Sequence, residues 1–202
     1  MQHRAGFYER YSKRLLDVLL SGLALIVLLP LLLVTAVLVR ARLGSPVIFC
    51  QERPGKDGAI LRLHKFRSMT DARDGDGVLL PDKERLTPFG QKLRALSIDE
   101  LPGLWDIFRG KMSIVGPRPL LVKYLPYYTE EERHRHDVRP GLTGLAQVNG
   151  RNDLTWEQKF SYDLDYVKHI SFSADVKIIL DTVGKVLNEY FSISGDRALL
   201  FH

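Results

Sequence analysis

The segment VLLSGLALIVLLPLLLVTAVLV, residues Val18–Val39, is a run of 22 residues without one charged side chain. As a single α-helix it would be about 33 Å long, which is enough to cross the hydrocarbon core of a bilayer. Pro30 stands near its middle, where a proline removes a backbone donor and bends a helix. The segment therefore predicts a membrane-associated chain whose membrane helix is broken.

Basic residues flank this segment on both sides: Arg4, Arg10, Lys13 and Arg14 precede it, and Arg40 and Arg42 follow it. Cytoplasmic flanks of membrane segments carry an excess of Lys and Arg, so both ends are predicted to lie in the cytoplasm. Val18–Leu29 and Leu31–Val39 are each too short to span alone, so the helix would enter and return on one face. A spanning helix with a proline kink is the alternative, and the sequence alone favours the two equally.

The composition narrows the class of partner. The 202 residues are enough for one folded domain, and we predict a basic segment with the membrane helix at residues 1–42 and a cytoplasmic domain at residues 43–202. The net charge of +5 suits nucleic acid, lipid head groups or phosphorylated substrates, without choosing between them. Cys50 is the only cysteine, which excludes an intrachain disulfide, and the sequence has no Walker-type or GxGxxG phosphate loop.

The rest of the chain shows the patterns of a small α/β domain that is mostly helical. Strands are predicted at Val47–Cys50 and Ala59–Phe66, joined by the turn residues PGKDG into a β-hairpin. Helical spacing of apolar residues and N-cap signals predict the helices, which begin at Thr87 and Ser97 and span Thr129–Asp137, Thr155–His169 and Ala174–Glu189.

Asp99 and Glu100 are adjacent acids at the start of a predicted helix. Residues 97–100, SIDE, match a capping box, in which Glu100 would bond back to the Ser97 amide and Asp99 would complement the helix dipole. The local sequence favours this structural role. The same environment would also keep Asp99 ionised beside N–H groups that can hold phosphate. An ionised carboxylate can attack phosphorus to give an acyl phosphate, while a neighbouring acid holds a metal.

Several basic residues stand next to glycine or proline, where the backbone can fix a guanidinium against a phosphate. They are Lys65 and Arg67 in KFRSM, Arg118 in GPRP, Arg139 before Pro140, and Arg151 after Gly150. Arginine binds phosphate with two parallel hydrogen bonds. Each residue taken alone is more often a solvated charge or a local ion pair. Together with a membrane segment, they favour an anionic substrate.

Five motifs in the same order resemble the monotopic phosphoglycosyl transferases, also called bacterial sugar transferases. The motifs are KFRSM (65–69), SIDELP (97–102), MSIVGPRP (112–119), RPGLTG (139–144) and QVNGR (147–151). The chain is most similar to the small members of the family, such as the undecaprenyl-phosphate sugar-phosphate transferase that initiates N-linked glycan assembly.

The resemblance implies a reaction and a site. Asp99 would be the nucleophile that takes the sugar phosphate from a UDP-sugar, releases UMP, and passes it to polyprenyl phosphate in the first membrane step of glycoconjugate biosynthesis. Asp99 and Glu100 would bind Mg²⁺. The residues implied to bind substrate and its phosphates are Lys65, Arg67, Arg118, Arg139, Gln147 and Arg151. An N-acetylated amino sugar is the donor implied.

The resemblance also implies a place in the cell and partners other than the substrates. The enzyme would sit in the bacterial inner membrane among its lipids, with the catalytic domain facing the cytoplasm. Its re-entrant helix would break near a Ser-Pro pair, although Leu29-Pro30 stands there in this chain. A homodimer is compatible with the sequence, and no nucleic acid is expected.

Two alternatives remain in view. A membrane-bound Mg²⁺-dependent phosphohydrolase would use the same Asp99 but give the phosphate to water. A basic, membrane-tethered binding module for nucleic acid or anionic lipid would not be an enzyme. Such a module is expected to interleave aromatic and basic residues on one surface, and the sequence shows no such pattern.

Overall fold

The computed structural model describes residues 5–150 and 153–198, with side-chain environments to residue 191. The described chain is mostly helical with short strands, which confirms that part of the predicted fold class. The helices are α1 (Arg14–Val27), α2 (Leu29–Leu43), α3 (Asp82–Arg85), α4 (Pro88–Ala95), α5 (Gly103–Phe108), α6 (Glu130–Arg133), α7 (Leu145–Asn149), α8 (Trp156–Lys168) and α9 (Phe172–Ala198). The strands are β1 (Ile48–Pro54), β2 (Ile60–Phe66), β3 (Ser113–Val115) and β4 (Gly141–Thr143).

The apolar segment forms two helices with a sharp bend between them. A π-helical stretch, Tyr8–Lys13, continues into α1, and the axis turns by 63° before α2. The break lies at Leu28, whose φ and ψ of −87° and 1° are not helical, rather than at Pro30. Pro30 lies in the first turn of α2, where the N–H that proline lacks would have had no helical partner. The proline therefore starts the second helix instead of kinking a continuous one.

Neither helix of this pair is long and apolar enough on its own to cross a bilayer, and the same holds for every other helix in the described residues. Taken together, Tyr8–Val27 and Leu29–Leu43 satisfy the length and composition of a broken span or a re-entrant loop. Large apolar side chains on both helices are exposed to the surroundings, including Leu19, Leu23, Ile26, Leu33 and Val37. An apolar surface of this extent is typical of a membrane or protein contact.

The opposite face of the pair packs on the rest of the chain. The buried Asp17 carboxylate accepts a hydrogen bond from the Ile114 amide at 3.0 Å, which ties α1 to β3. At the far end of α2, Val39 and Leu43 are buried against Phe66 of β2 and Leu93 of α4. The bent helix pair is therefore joined to the rest of the chain by buried contacts near both of its ends.

Two small sheets place the loops that form the site. β1 and β2 pair antiparallel with Ile48 opposite Phe66, which confirms the predicted hairpin. β3 and β4 pair in parallel, with Ser113 opposite Gly141. A Cβ atom on Gly141 would lie 2.1 Å from the Gly116 nitrogen, so only glycine permits this close approach of the two backbones. The pairing holds the loop that leads to Arg118.

The helix predictions are confirmed where the capping signal is local. Thr87 accepts a hydrogen bond from the Gly90 amide and begins α4, and Thr155 forms a capping box with Gln158 at the start of α8. The prediction at Thr129 holds for α6 alone, since the chain continues as a 3-10 turn. The prediction at Ser97 is wrong.

Ser97 has a left-handed φ of 54° and makes no side-chain cap, so residues 97–100 do not form a capping box. Ile98–Glu100 is a single 3-10 turn, and α5 begins only at Gly103. The physical reason is that Glu100 is attracted to two cations from distant parts of the chain and is not available to the Ser97 amide.

Candidate active site

The end of a strand and two loops bring their charged side chains together. Lys65 lies near the end of β2, Asp99 and Glu100 lie in the 3-10 turn after α4, and Arg118 lies in the loop after β3. These residues are far apart in the sequence, and the fold places them next to one another. The predicted residues Lys65, Asp99, Glu100 and Arg118 thus meet in one place.

Glu100 is held between two cations. Its Oε1 atom accepts hydrogen bonds from Lys65 Nζ at 2.6 Å and from Arg118 Nη2 at 2.7 Å, and Arg118 Nη1 lies 3.5 Å from Oε2. Burial alone would raise the pKa of Glu100, but the charges and hydrogen bonds of Arg118 and Lys65 outweigh burial and lower the pKa to about 2. Glu100 is therefore a permanent anion that fixes both cations.

Asp99 has a different environment although it is the adjacent residue. It is only 7 % exposed, and no group in the described residues donates a hydrogen bond to its carboxylate. Burial, followed by the negative charge of Glu100, raises the pKa of Asp99 to about 6, against the pull of Lys65, Arg94 and Arg118. The helix N-terminus that was expected to keep Asp99 ionised does not form at this position. The carboxylate is still mostly ionised at pH 7.

Both acids line a cavity of about 680 Å³, which is within the usual range for a site that binds a drug-sized or cofactor-sized molecule. The residues predicted to bind substrate that also line this cavity are Lys65, Arg67, Arg118 and Gln147. The pairing of carboxylates with several cations suits a ligand that carries both phosphate groups and a metal ion.

Arg67 and Gln147 differ from Lys65 and Arg118 in how they are engaged. The Arg67 guanidinium donates to the carbonyls of Met69 and Ser45 and pairs with Asp71, so all three nitrogens have partners. Gln147 donates its amide to the Leu142 carbonyl at 2.9 Å, while its buried Oε1 atom has no partner within the described structure. Arg67 thus shapes the wall of the cavity, and Gln147 keeps one acceptor available.

The structure does not bring Arg139 to this cavity. Its Nε atom donates to the Gly110 carbonyl at 2.9 Å, near Arg14 at the start of α1, and Arg139 is absent from the cavity lining. Arg151 lies outside the residues that the structure describes.

Four arginines in the cavity wall, Arg53, Arg85, Arg94 and Arg135, were not among the predicted site residues. Arg94 donates from Nε to Ser68 Oγ at 2.9 Å and acts electrostatically on Asp99, but on α4 it looks like a helix surface charge. Arg53 also lines the cavity and stands directly before Pro54-Gly55. The proximity to proline and glycine that selected the other cations would have selected Arg53 as well.

A Mg²⁺ ion is the cofactor that the family resemblance implies. Within residues 5–150 and 153–198, no group of three or more His, Cys, Asp or Glu side chains is placed to hold a metal. The protein donors that the resemblance implies would be the carboxylates of Asp99 and Glu100. Mg²⁺ commonly takes one or two carboxylates and completes its coordination with substrate phosphates and water. The residues present fit such a substrate-assisted site.

Comparison with known proteins identifies the family. The profile for bacterial sugar transferases matches residues 8–189. The chain is 52 % identical over 175 residues to the uncharacterized sugar transferase EpsL of Bacillus subtilis, covering 87 % of each chain. It is 39 % identical over 194 residues to the exopolysaccharide production protein ExoY of Sinorhizobium fredii, covering 87 % of this chain and 85 % of that protein.

A longer relative is the UDP-glucose:undecaprenyl-phosphate glucose-1-phosphate transferase of Klebsiella pneumoniae. It is 43 % identical over 183 residues, which are 86 % of this chain but only 39 % of that protein. The family profile, residues 8–189, covers every described element that carries a residue of the candidate site. The chain belongs to the bacterial sugar transferase family.

Proposed function

We propose that this enzyme, a phosphoglycosyl transferase, transfers a sugar 1-phosphate from a UDP-sugar to polyprenyl phosphate and releases UMP. One observation carries the proposal. Asp99 is a buried carboxylate without a donor among the described residues, and it lies beside Glu100, which two cations hold as an anion. Relatives named as UDP-glucose:undecaprenyl-phosphate glucose-1-phosphate transferases support the reaction class.

The reaction would proceed in two displacements at phosphorus. An Asp99 oxygen attacks the phosphorus that bears the sugar, forming an acyl phosphate, and the bond to the bridging oxygen breaks so that UMP leaves with the electron pair. A polyprenyl phosphate oxygen then attacks the same phosphorus. The bond to Asp99 breaks, which restores the carboxylate and gives the polyprenyl diphosphate sugar.

The chain's own residues would stabilise the charge that moves during these steps. Arg118 and Lys65 are fixed on Glu100, and Arg94 lies close enough to act on Asp99, so the cavity is already positive where a diphosphate would bind. Mg²⁺ bound with the donor would neutralise further negative charge on the leaving UMP.

The donor sugar has two candidate classes. The family resemblance implies an N-acetylated amino sugar, whereas relatives are named for UDP-glucose and UDP-galactose. Pairs of UDP-sugars that differ only at the 2-position, such as UDP-glucose and UDP-N-acetylglucosamine, separate the two classes in one assay of UMP formation.

The deciding experiment measures UMP release from a UDP-sugar panel with purified enzyme, Mg²⁺ and undecaprenyl phosphate. The proposal predicts UMP and a lipid-linked sugar that form together. Free sugar phosphate formed at the same rate without lipid would instead indicate a phosphohydrolase. Absence of turnover and of nucleotide binding across the panel would favour a non-enzymatic membrane module.

Arg118→Lys should lower kcat/KM by about tenfold to a hundredfold, because lysine keeps the charge but loses the two-pronged contact that Arg118 makes on Glu100. Steady-state kinetics with the preferred donor would measure the loss. Arg62→Lys is the matched control, since Arg62 is exposed on β2 and lies 3.9 Å from Glu52. If Arg118→Lys behaves like Arg62→Lys, the fork geometry is not needed.

We also propose that both ends of the bent helix pair face the cytoplasm. The support is the basic flanks, the 63° bend and the exposed apolar surface of α1 and α2. In a Cys50→Ser background, cysteines placed at Gly6 and Ser45 should resist a membrane-impermeant thiol reagent in intact cells and react after permeabilisation. Labelling of Gly6→Cys alone in intact cells would establish a spanning helix.

A further inference from the structure

Arg53, at the end of β1, stands in the wall between two cavities. It lines the 680 Å³ cavity that contains Asp99 and also a small cavity of about 30 Å³ beside it. Lys65, Glu100 and Arg118 line both cavities as well. The Arg53 guanidinium therefore belongs to the same charged cluster as the proposed catalytic residues.

The hydrogen bonds of Arg53 leave its charge without a carboxylate. Nη1 donates to the Pro119 carbonyl at 3.2 Å and Nη2 to Gln51 Oε1 at 2.6 Å, both of which are neutral acceptors. The Nε–H group is buried and has no partner within the described residues. A partly buried cation with an unused donor carries a desolvation cost that a bound anion would offset.

The neighbouring charges point to the same conclusion. Burial and then the positive charge of Arg118 lower the pKa of Arg53, while Glu100, Tyr124 and Tyr128 act in the opposite direction. One oxygen of Glu100, Oε1, already accepts hydrogen bonds from both Lys65 and Arg118. Three cations, Lys65, Arg118 and Arg53, thus line the cavity with two carboxylates, Asp99 and Glu100. The excess of positive charge is one that a multiply charged ligand would balance.

We propose that Arg53 binds a phosphate of the nucleotide diphosphate donor, opposite the side chain of Arg118. The inference rests on the proposed function and adds a residue to it. A phosphate has enough oxygens to accept hydrogen bonds from two guanidinium groups at once. The Glu100 carboxylate already accepts hydrogen bonds from two cations in this space, Lys65 and Arg118. The bound anion also relieves the repulsion between Arg53 and Arg118.

The competing explanation is structural. Arg53 also holds the Pro119 carbonyl, so it could act only by fixing the loop that carries Arg118. A test must therefore separate contact with phosphate from support of a loop. Uridine and UDP share the nucleoside and differ only in the diphosphate, so their inhibition constants isolate the contribution of phosphate contacts. Repeating Arg53→Gln in an Arg118→Lys background then separates the two explanations, because an effect that acts only through Arg118 would be lost there.

The experiment compares Arg53→Gln and Arg53→Lys with the control Arg62→Gln in the UMP-release assay. Arg53→Gln should raise the donor KM and the inhibition constant of UDP by about tenfold to a hundredfold, the usual effect of losing one charged hydrogen bond. The inhibition constant of uridine should stay within about twofold of wild type, and Arg62→Gln should change none of the three values. Arg53→Lys should fall between Arg53→Gln and wild type.

Equal weakening of UDP and uridine, or loss of the Arg53→Gln effect in the Arg118→Lys background, would assign Arg53 to a structural role. Unchanged UDP inhibition would remove it from the site. Either result overturns the inference while wild-type transfer continues, which leaves the proposed function intact. If the wild type itself neither releases UMP nor binds UDP, the proposed function fails first. Arg53→Lys keeps the charge and the contact to the loop within reach, so it supplies the comparison if Arg53→Gln does not fold.

Discussion

Asp99→Asn should abolish transfer and at the same time stabilise the folded protein. The substitution removes the attacking oxygen's charge, so we expect kcat to fall at least about a thousandfold, as it does when a nucleophile is lost. Burial and Glu100 raise the pKa of Asp99 to about 6, so the folded state favours a neutral side chain there. The amide should therefore raise the free energy of unfolding at pH 7 by up to about 3 kcal/mol.

The two readouts of this prediction are turnover and the thermal midpoint in the same detergent. Between about pH 4 and pH 6 the folded wild type retains a proton on Asp99 that the unfolded chain has released, so wild-type stability should fall as the pH rises through that range. Asp99→Asn should not show this fall. A variant that loses both activity and stability would instead mean that the Asp99 carboxylate has a structural role.

The rate should depend on pH through the same group. Only ionised Asp99 can attack phosphorus, so kcat/KM for the donor should decrease about tenfold per pH unit below a pKa near 6. A cation beside the carboxylate favours the ionised form, so raising the Mg²⁺ concentration should move this acidic limb to lower pH. If the position of this acidic limb does not change with Mg²⁺ concentration, Asp99 is not a metal ligand.

Glu100→Gln is the second large prediction, and its effect on stability has the opposite sign. Turnover should fall about a hundredfold or more, since Lys65 and Arg118 lose the anion that positions them. The pKa of Glu100 is lowered to about 2, so its charge stabilises the fold above about pH 4.5 and this contribution is lost as the pH falls towards 2. Glutamine should therefore cost about 2–3 kcal/mol at pH 7.

Asp99→Asn and Glu100→Gln, measured in parallel, act as controls for each other. Asn and Gln each replace one acid by its amide, at adjacent positions in the same turn, so general effects of losing a charge are matched. We expect the thermal midpoint to rise for Asp99→Asn and to fall for Glu100→Gln. Shifts of the same sign for both would contradict the assignment of one acid as reactive and the other as a fixed structural anion.

The sequence was sufficient for features that short segments determine. The β-hairpin and the Thr87 cap follow from residues within a few positions of one another, and both are confirmed. The charge-free segment likewise predicted a broken helix, although the break is at Leu28 and Pro30 begins the next helix. Local chemistry decides these elements, so the sequence contains the information directly.

The site was harder to predict from the sequence because its contacts join residues that are far apart in the chain. Glu100 matched a capping box, but its carboxylate contacts Lys65, 35 residues away, and Arg118, 18 residues away, and these charged contacts replace the cap. Arg139, like Arg118, stands next to proline, yet it reaches the Gly110 carbonyl instead of the cavity. A motif identifies candidate cations, while the parallel β3–β4 pairing determines which of them reach the acids.

The central claim is a covalent phosphosugar on Asp99, and the most direct measurement is the intact mass of the protein. Purified enzyme is incubated with Mg²⁺ and its UDP-sugar, without lipid acceptor, and then denatured and analysed by mass spectrometry and peptide mapping. The account predicts a mass increase of one sugar phosphate on the peptide containing Asp99, lost when polyprenyl phosphate is added and absent from Asp99→Asn. No adduct under conditions that support turnover, or an equal adduct on Asp99→Asn, would contradict it and indicate direct transfer.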